Sequence, residues 1–171
     1  MARRVSPPAA RRSATTREAV VRAGVVDVFV VRDARRGWQH LALRRGRETR
    51  CPGTWETVHG RIERGESPPD AARREVREET GLAIERLYAL TVNPFFMQST
   101  GNVELAVAFV AVVSPGSVTL GDEHDSAAWL SHTAAKKRYH WPRERESLAH
   151  IAILFRGGNA GRAEDVLLMA P

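Results

Sequence analysis

One stretch constrains what this chain can fold into: Gly60–Leu82, GRIERGESPPDAARREVREETGL. Ser67 followed by Pro68 reads as a helix start, with Ser67 as N-cap and Pro68 at the first position. Asp70 falls in the first turn, where the helix dipole favours a carboxylate, and Gly81 is placed to end the helix. A helix over Pro68–Thr80 puts Glu75, Glu78 and Glu79 at i, i+3 and i+4, so three carboxylates share one face. Ala72 and Val76 form an apolar stripe beside them, and Arg73 and Arg77 fall on the far side, toward solvent. Carboxylates at i and i+4 repel unless something offsets them. A hard divalent cation would do so, since magnesium takes oxygen ligands and commonly joins one or two carboxylates to substrate phosphates. The bland alternative is a solvated Arg/Glu helix in which Arg74 and Glu78 form an ordinary surface pair.

The flanking pattern predicts an α/β chain. Val20–Val31 is a β-rich apolar run broken by Gly24 and Asp27, and Trp38–Leu43 reads as a second strand after a polar turn at Asp33–Gly37. Thr54–Ile62 reads as a third strand. Leu87–Gln98 and Val103–Ser114 read as long strands joined at Ser99–Asn102, with short strands expected at Val118–Leu120 and Ala127–Leu130. Thr133–Tyr139 and Arg143–Phe155 are helical, the second closed by Gly157-Gly158. Residues 159–171 read as a loose tail, with Val166–Met169 able to dock as a strand. Strands with a helix after the third and helices at the end imply a mixed sheet covered on both faces.

The spacing within the first stretch is specific. Gly60, five residues, Glu66, seven residues, then Arg74-Glu75-Val76-Arg77-Glu78-Glu79-Thr80-Gly81-Leu82 resembles the Nudix box, GX5EX7REUXEEXGU, at every fixed position. Seven specified residues at about 6% usage each make a chance match about 3 × 10⁻⁹ per start position. The resemblance implies an α/β/α sandwich that hydrolyses a phosphoanhydride in a nucleoside diphosphate-linked compound with Mg²⁺ or Mn²⁺. It also implies residue roles. Glu75, Glu78 and Glu79 resemble the metal-binding face, with the Gly60 carbonyl as an added ligand and Arg74 orienting the glutamates. Glu75 resembles a ligand and proton acceptor, Glu66 the residue that ties loop to helix, and Gly65 and Gly81 the tight-turn positions.

A second segment, Glu123-His124 followed by Trp129, is similar to one found in the dihydroneopterin triphosphate and dATP pyrophosphatase subgroup, where the glutamate reaches the metal site. Its alternative is a solvated acidic loop. His124 reads as a structural hydrogen-bonder and Trp129 as core. Arg44, Arg45, His59 and Trp141 are the candidates for substrate contact, against surface charge for the arginines and packing for Trp141. Pro94 is the one feature that points to ADP-ribose or a nucleotide sugar as an alternative substrate. A non-catalytic module that binds a nucleotide or nucleic acid is the alternative from another class, and the complete box argues against it.

Net charge is +6, yet Arg3, Arg4, Arg11, Arg12 and Arg17 supply five positive charges without an acid in residues 1–17. The rest is near neutral, so a nucleic-acid partner is not expected. Residues 1–17 read as a disordered leader, 18–156 as the domain and 157–171 as a C-terminal tail. No run of 18 uncharged apolar residues marks a membrane span. The single cysteine, Cys51, excludes an internal disulfide. The expected setting is cytoplasmic, the partner a small nucleotide, and a homodimer is left open.

Overall fold

A computed structural model describes residues 20–34 and 37–170. The leader expected at 1–17 and residues 35–36 of the Asp33–Gly37 turn lie outside the described residues.

The apolar run becomes strand β1 (Val21–Arg32), followed by β2 (Gln39–Arg45), β3 (Trp55–Glu56) and β4 (Val58–Arg61). Helix α1 (Pro68–Thr80) leads into the long hairpin β5 (Ile84–Met97) and β6 (Asn102–Val113). Strand β7 (His124–Ser131) precedes α2 (His132–Arg138) and α3 (Pro142–Leu154), and a short helix α4 (Glu164–Leu167) comes last. The sheet order is β3-β2-β1-β6-β5, with β7 also pairing β2 and β4 also pairing β1. Among the described strands β1 and β6 pair in parallel and the other strand pairings are antiparallel, so the sheet is mixed.

Val25–Val31 is buried throughout because β1 is central and covered on both faces. Alternation along β1 sorts its side chains. Val26, Val28 and Val30 pack with Ala71, Ala72 and Val76 of α1, whereas Phe29 and Val31 pack with Ala135, Leu148 and Ile151 of α2 and α3. The result is the expected α/β/α sandwich.

Three expectations need correction. The strand Thr54–Ile62 is split at Thr57, whose backbone N–H donates to Glu144 at 3.0 Å and whose hydroxyl donates to the Val28 carbonyl at 2.6 Å. Val118–Leu120 forms no strand. Instead Thr119 and Gly121 donate their N–H groups to the Thr80 and Glu79 carbonyls at 2.9 and 3.2 Å, satisfying the open end of α1. The stretch read as a loose tail is tied down. Of Val166–Met169, expected able to dock as a strand, Leu168 does dock on β5, bridging Tyr88 antiparallel, while Val166 and Leu167 belong to α4. Met169 N donates to Leu87 O at 2.8 Å, the Tyr88 hydroxyl donates to Glu164 at 2.7 Å, and Arg73, expected in solvent, donates to the Ala170 carbonyl.

Candidate active site

Helix α1 forms as its sequence directs. The Ser67 hydroxyl accepts from Asp70 N at 3.3 Å, and Gly81 closes the helix at φ 68°. Gly65 turns the preceding loop at φ 83°, also in the left-handed region that favours glycine. Glu66 is fixed by two bonds from Arg74, Nε to Oε1 and Nη2 to Oε2, each 2.9 Å, and accepts from Glu63 N at 2.9 Å. The remaining corner of Arg74, Nη1, donates to Glu75 at 2.8 Å and to Glu78 at 3.1 Å. One guanidinium therefore ties the loop to the helix and aims two of its glutamates.

Strand β4 lies between the two layers. Gly60 pairs with Val26 on the α1 side, and a Cβ there would fall inside the Glu75 carboxylate. Only glycine lets the backbone meet that side chain. His59 pairs with Asp27 on the opposite side and shares a 2.6 Å bond with it through Nδ1. Asp27 is fully buried and also accepts from Arg143, at 2.8 Å from Nε and 3.1 Å from Nη2. Burial raises the Asp27 pKa, but the bonds from His59 and Arg143 outweigh it and hold the carboxyl at about 2.

Glu79 is the opposite case. It is buried, its Oε2 has no hydrogen-bond partner among the described residues, and His124 Nδ1, likewise unpartnered among them, stands 3.8 Å away. Desolvation first, then the charges of Glu75, Glu56 and Glu123, push its pKa up to about 9. A hydrogen bond from the His59 backbone offsets this only in part. Burial also raises the Glu75 pKa, against the pull of Arg74.

Gly60, Glu75, Glu79, Glu123, Arg45, His59 and Trp141 line one open cleft of about 930 Å³. Glu78 lies outside its lining and is linked to Glu75 of the wall by Arg74. Arg44 does not face the cleft; it pairs with Asp125 on the exposed rim at 2.6 Å. Neighbouring residues on a strand point to opposite faces, so only one of Arg44 and Arg45 can turn inward. Arg45 donates to Glu56 at 2.8 Å and to Glu123 at 3.1 Å. Exposed Cys51, at φ 53°, is also on the wall. Trp129 packs on the core with the Arg32 guanidinium 4.2 Å above its ring, and Pro94 is exposed on β5 away from the cleft lining.

The donor set suits a hard cation. Carboxylates from α1 and the β7 approach line the same cleft, one oxygen among them is buried without a partner among the described residues, and the glycine contact seats Glu75. Among the described residues no three His, Cys, Asp or Glu side chains already converge as a ligand group. Arg74 Nη1 instead bridges Glu75 and Glu78.

Sequence reading missed Glu56, Asp27 and Arg143. Glu56 accepts from Arg45, from Trp141 Nε1 at 3.2 Å and from His124 Nε2 at 3.4 Å, and despite its burial these bonds lower its pKa to about 2. The one available signal was Asp27 itself, a lone acid inside an apolar strand.

Comparison with known proteins agrees with this fold. A family model described as NUDIX domain matches residues 21–151. An octanoyltransferase of Myxococcus xanthus is 34% identical over 106 residues, covering 56% of this chain and 28% of that protein. The NAD-capped RNA hydrolase NudC of Pseudomonas aeruginosa is 35% identical over 118 residues, covering 68% of this chain and 40% of that protein. This chain thus spans well under half the length of either relative. The E. coli dihydroneopterin triphosphate pyrophosphohydrolase shares the fold at TM-score 0.61 and 23% identity, covering 75% of this chain and 94% of that one.

Proposed function

The chain belongs to the Nudix family, and from that premise we propose that it is a divalent-metal-dependent pyrophosphohydrolase. Its substrate on this reading is a nucleoside or pterin triphosphate, and its product pyrophosphate. The observation that carries the reading is Glu79, a buried carboxylate with an unpartnered oxygen at the wall of the cleft. A buried polar group without a partner is costly to the fold, and a bound cation would supply the partner.

Glu75, Glu78, Glu79, Glu123 and the Gly60 backbone would hold Mg²⁺ or Mn²⁺. When bound, the ion supplies positive charge to the phosphate oxygens and lowers the pKa of an attacking water. Arg74 keeps Glu75 and Glu78 aimed, because Glu66 holds its other edge. Glu75 is the group placed to accept the proton of that water. Arg45 balances Glu56 and Glu123, which limits repulsion of a polyanionic substrate.

The test is pyrophosphate and phosphate release across nucleoside triphosphates, dihydroneopterin triphosphate, ADP-ribose and dinucleoside polyphosphates, with magnesium, with manganese and with EDTA. Metal-dependent pyrophosphate release from a triphosphate is expected, and Glu79→Gln abolishes it while the circular dichroism spectrum stays native. Turnover by that variant near the wild-type rate would sink the assignment.

A further inference from the structure

Among the described residues, the Asp27–Arg143 pair leaves part of the guanidinium without a hydrogen-bond partner. Asp27 takes the side edge, Nε with one hydrogen of Nη2. The end edge remains, with one N–H from each of Nη1 and Nη2 lying parallel, a second two-pronged donor. Arg143 lines the cleft with its side chain 20% exposed. The rings of Phe95 and Trp141 each stand 5.5 Å from the guanidinium carbon. The Trp141 ring is itself held by its bond to Glu56. Phe95 on β5, Trp141 at the start of α3 and Arg143 in its first turn therefore wall one part of the cleft, and Asp27 on β1 fixes the donors there.

We propose that Arg143 is the residue that reads the heterocycle of the substrate, with Asp27 as its positioning residue. It selects rings with two adjacent acceptors on one edge, a 6-oxopurine or a 4-oxopteridine, over adenine. The chemistry favours a ring over a phosphate at this spot. The charge of Arg143 is already balanced by Asp27, so little net attraction is left for an anion, whereas donors and aromatic faces are what a neutral heterocycle needs. A fork of two N–H groups matches the O6 and N7 acceptors of a 6-oxopurine. Adenine offers N7 beside an amino group, and the second N–H would face another donor. The split of the cleft along β4 separates the tasks, with ring selection on the Asp27 side and the glutamates on the Gly60 side. This proposal rests on the triphosphate reading above and adds its specificity.

The test compares ITP with ATP, which differ at position 6 of the purine, in wild type, Arg143→Gln and Arg143→Lys. Wild type is expected to favour ITP at least tenfold in kcat/KM, mostly through KM. Arg143→Gln erases the preference by weakening ITP alone. Arg143→Lys keeps the charge, loses the fork, and erases it too, which covers the case of a Gln variant that does not fold. Asp27→Asn raises KM for ITP with kcat within about twofold. Equilibrium binding of inosine and adenosine 5′-diphosphates gives the same ratio without turnover. Silence in turnover with the binding ratio intact removes the hydrolysis reading and keeps this one. Equal treatment of the two rings by wild type, no binding of either diphosphate, or an Arg143→Gln variant weakened equally for both overturns it.

Discussion

Asp27 and Glu79 are both buried carboxylates beside one cleft, and they have opposite fates. Asp27 has His59 and Arg143 against it and is held at a pKa of about 2. Glu79 has three other carboxylates for neighbours and is pushed to about 9. Burial opposes the charge in both cases, so the partners decide the outcome. The first is a finished ion pair that fixes geometry. The second is an unfinished one, and its deficit is matched by what a divalent cation brings.

That contrast can be broken by removing the partners. Asp27→Ala strands the Arg143 guanidinium against a buried wall and should cost about 3–5 kcal/mol in urea unfolding. A loss below about 1 kcal/mol would show that the pair is well solvated in solution. Glu79→Gln should act in the other direction, stabilising the metal-free protein by about 2 kcal/mol at pH 8. The sign follows from the raised folded pKa: the folded state holds its proton longer, so wild-type stability declines as pH climbs from 4.5 toward 9. Asp27 has the reverse sign, its contribution present above 3.8 and lost as pH falls toward 2. Unfolding curves of wild type and Glu79→Gln should therefore converge near pH 4. Magnesium should raise the wild-type midpoint at pH 8 and leave the variant nearly unmoved. The smallest effect belongs to the rim pair: Arg44→Ala should shift stability by less than about 1 kcal/mol, since both partners are exposed.

The half of the cleft built by α1 was legible because its carboxylates lie within one turn of helix and their spacing is local. Gly60, Glu66 and Arg74 belong to the same short stretch. The other half was not legible. Asp27 meets Arg143 across 116 positions, and Glu56 meets Trp141 across 85. No periodicity links residues that far apart, and nothing in the chain marks the end of β3 as the place where Arg45, His124 and Trp141 meet. The same limit explains Val118–Leu120. Its apolar residues do enter the core, as a strand would make them, but its N–H groups go to the end of α1 rather than to a ladder. The choice of Arg45 over Arg44 followed from a strand register that only the pairing with β3 and β7 sets.

The parallel pairing of β1 with β6 has a cost in time. Val21 lies beside Val103 and Val31 beside Val112, partners about eighty positions apart, at the centre of the sheet. Contacts of such long range close slowly, because chain entropy must be spent before they reward it. During synthesis the valine-rich first strand has to wait, unpaired on that side, until Asn102–Val113 arrives some seventy residues later. Freshly made or refolding molecules are then most prone to stick to one another through this strand. Slow refolding and loss of yield at high protein concentration are the expected signature, and chaperones would find their target at Val25–Val31.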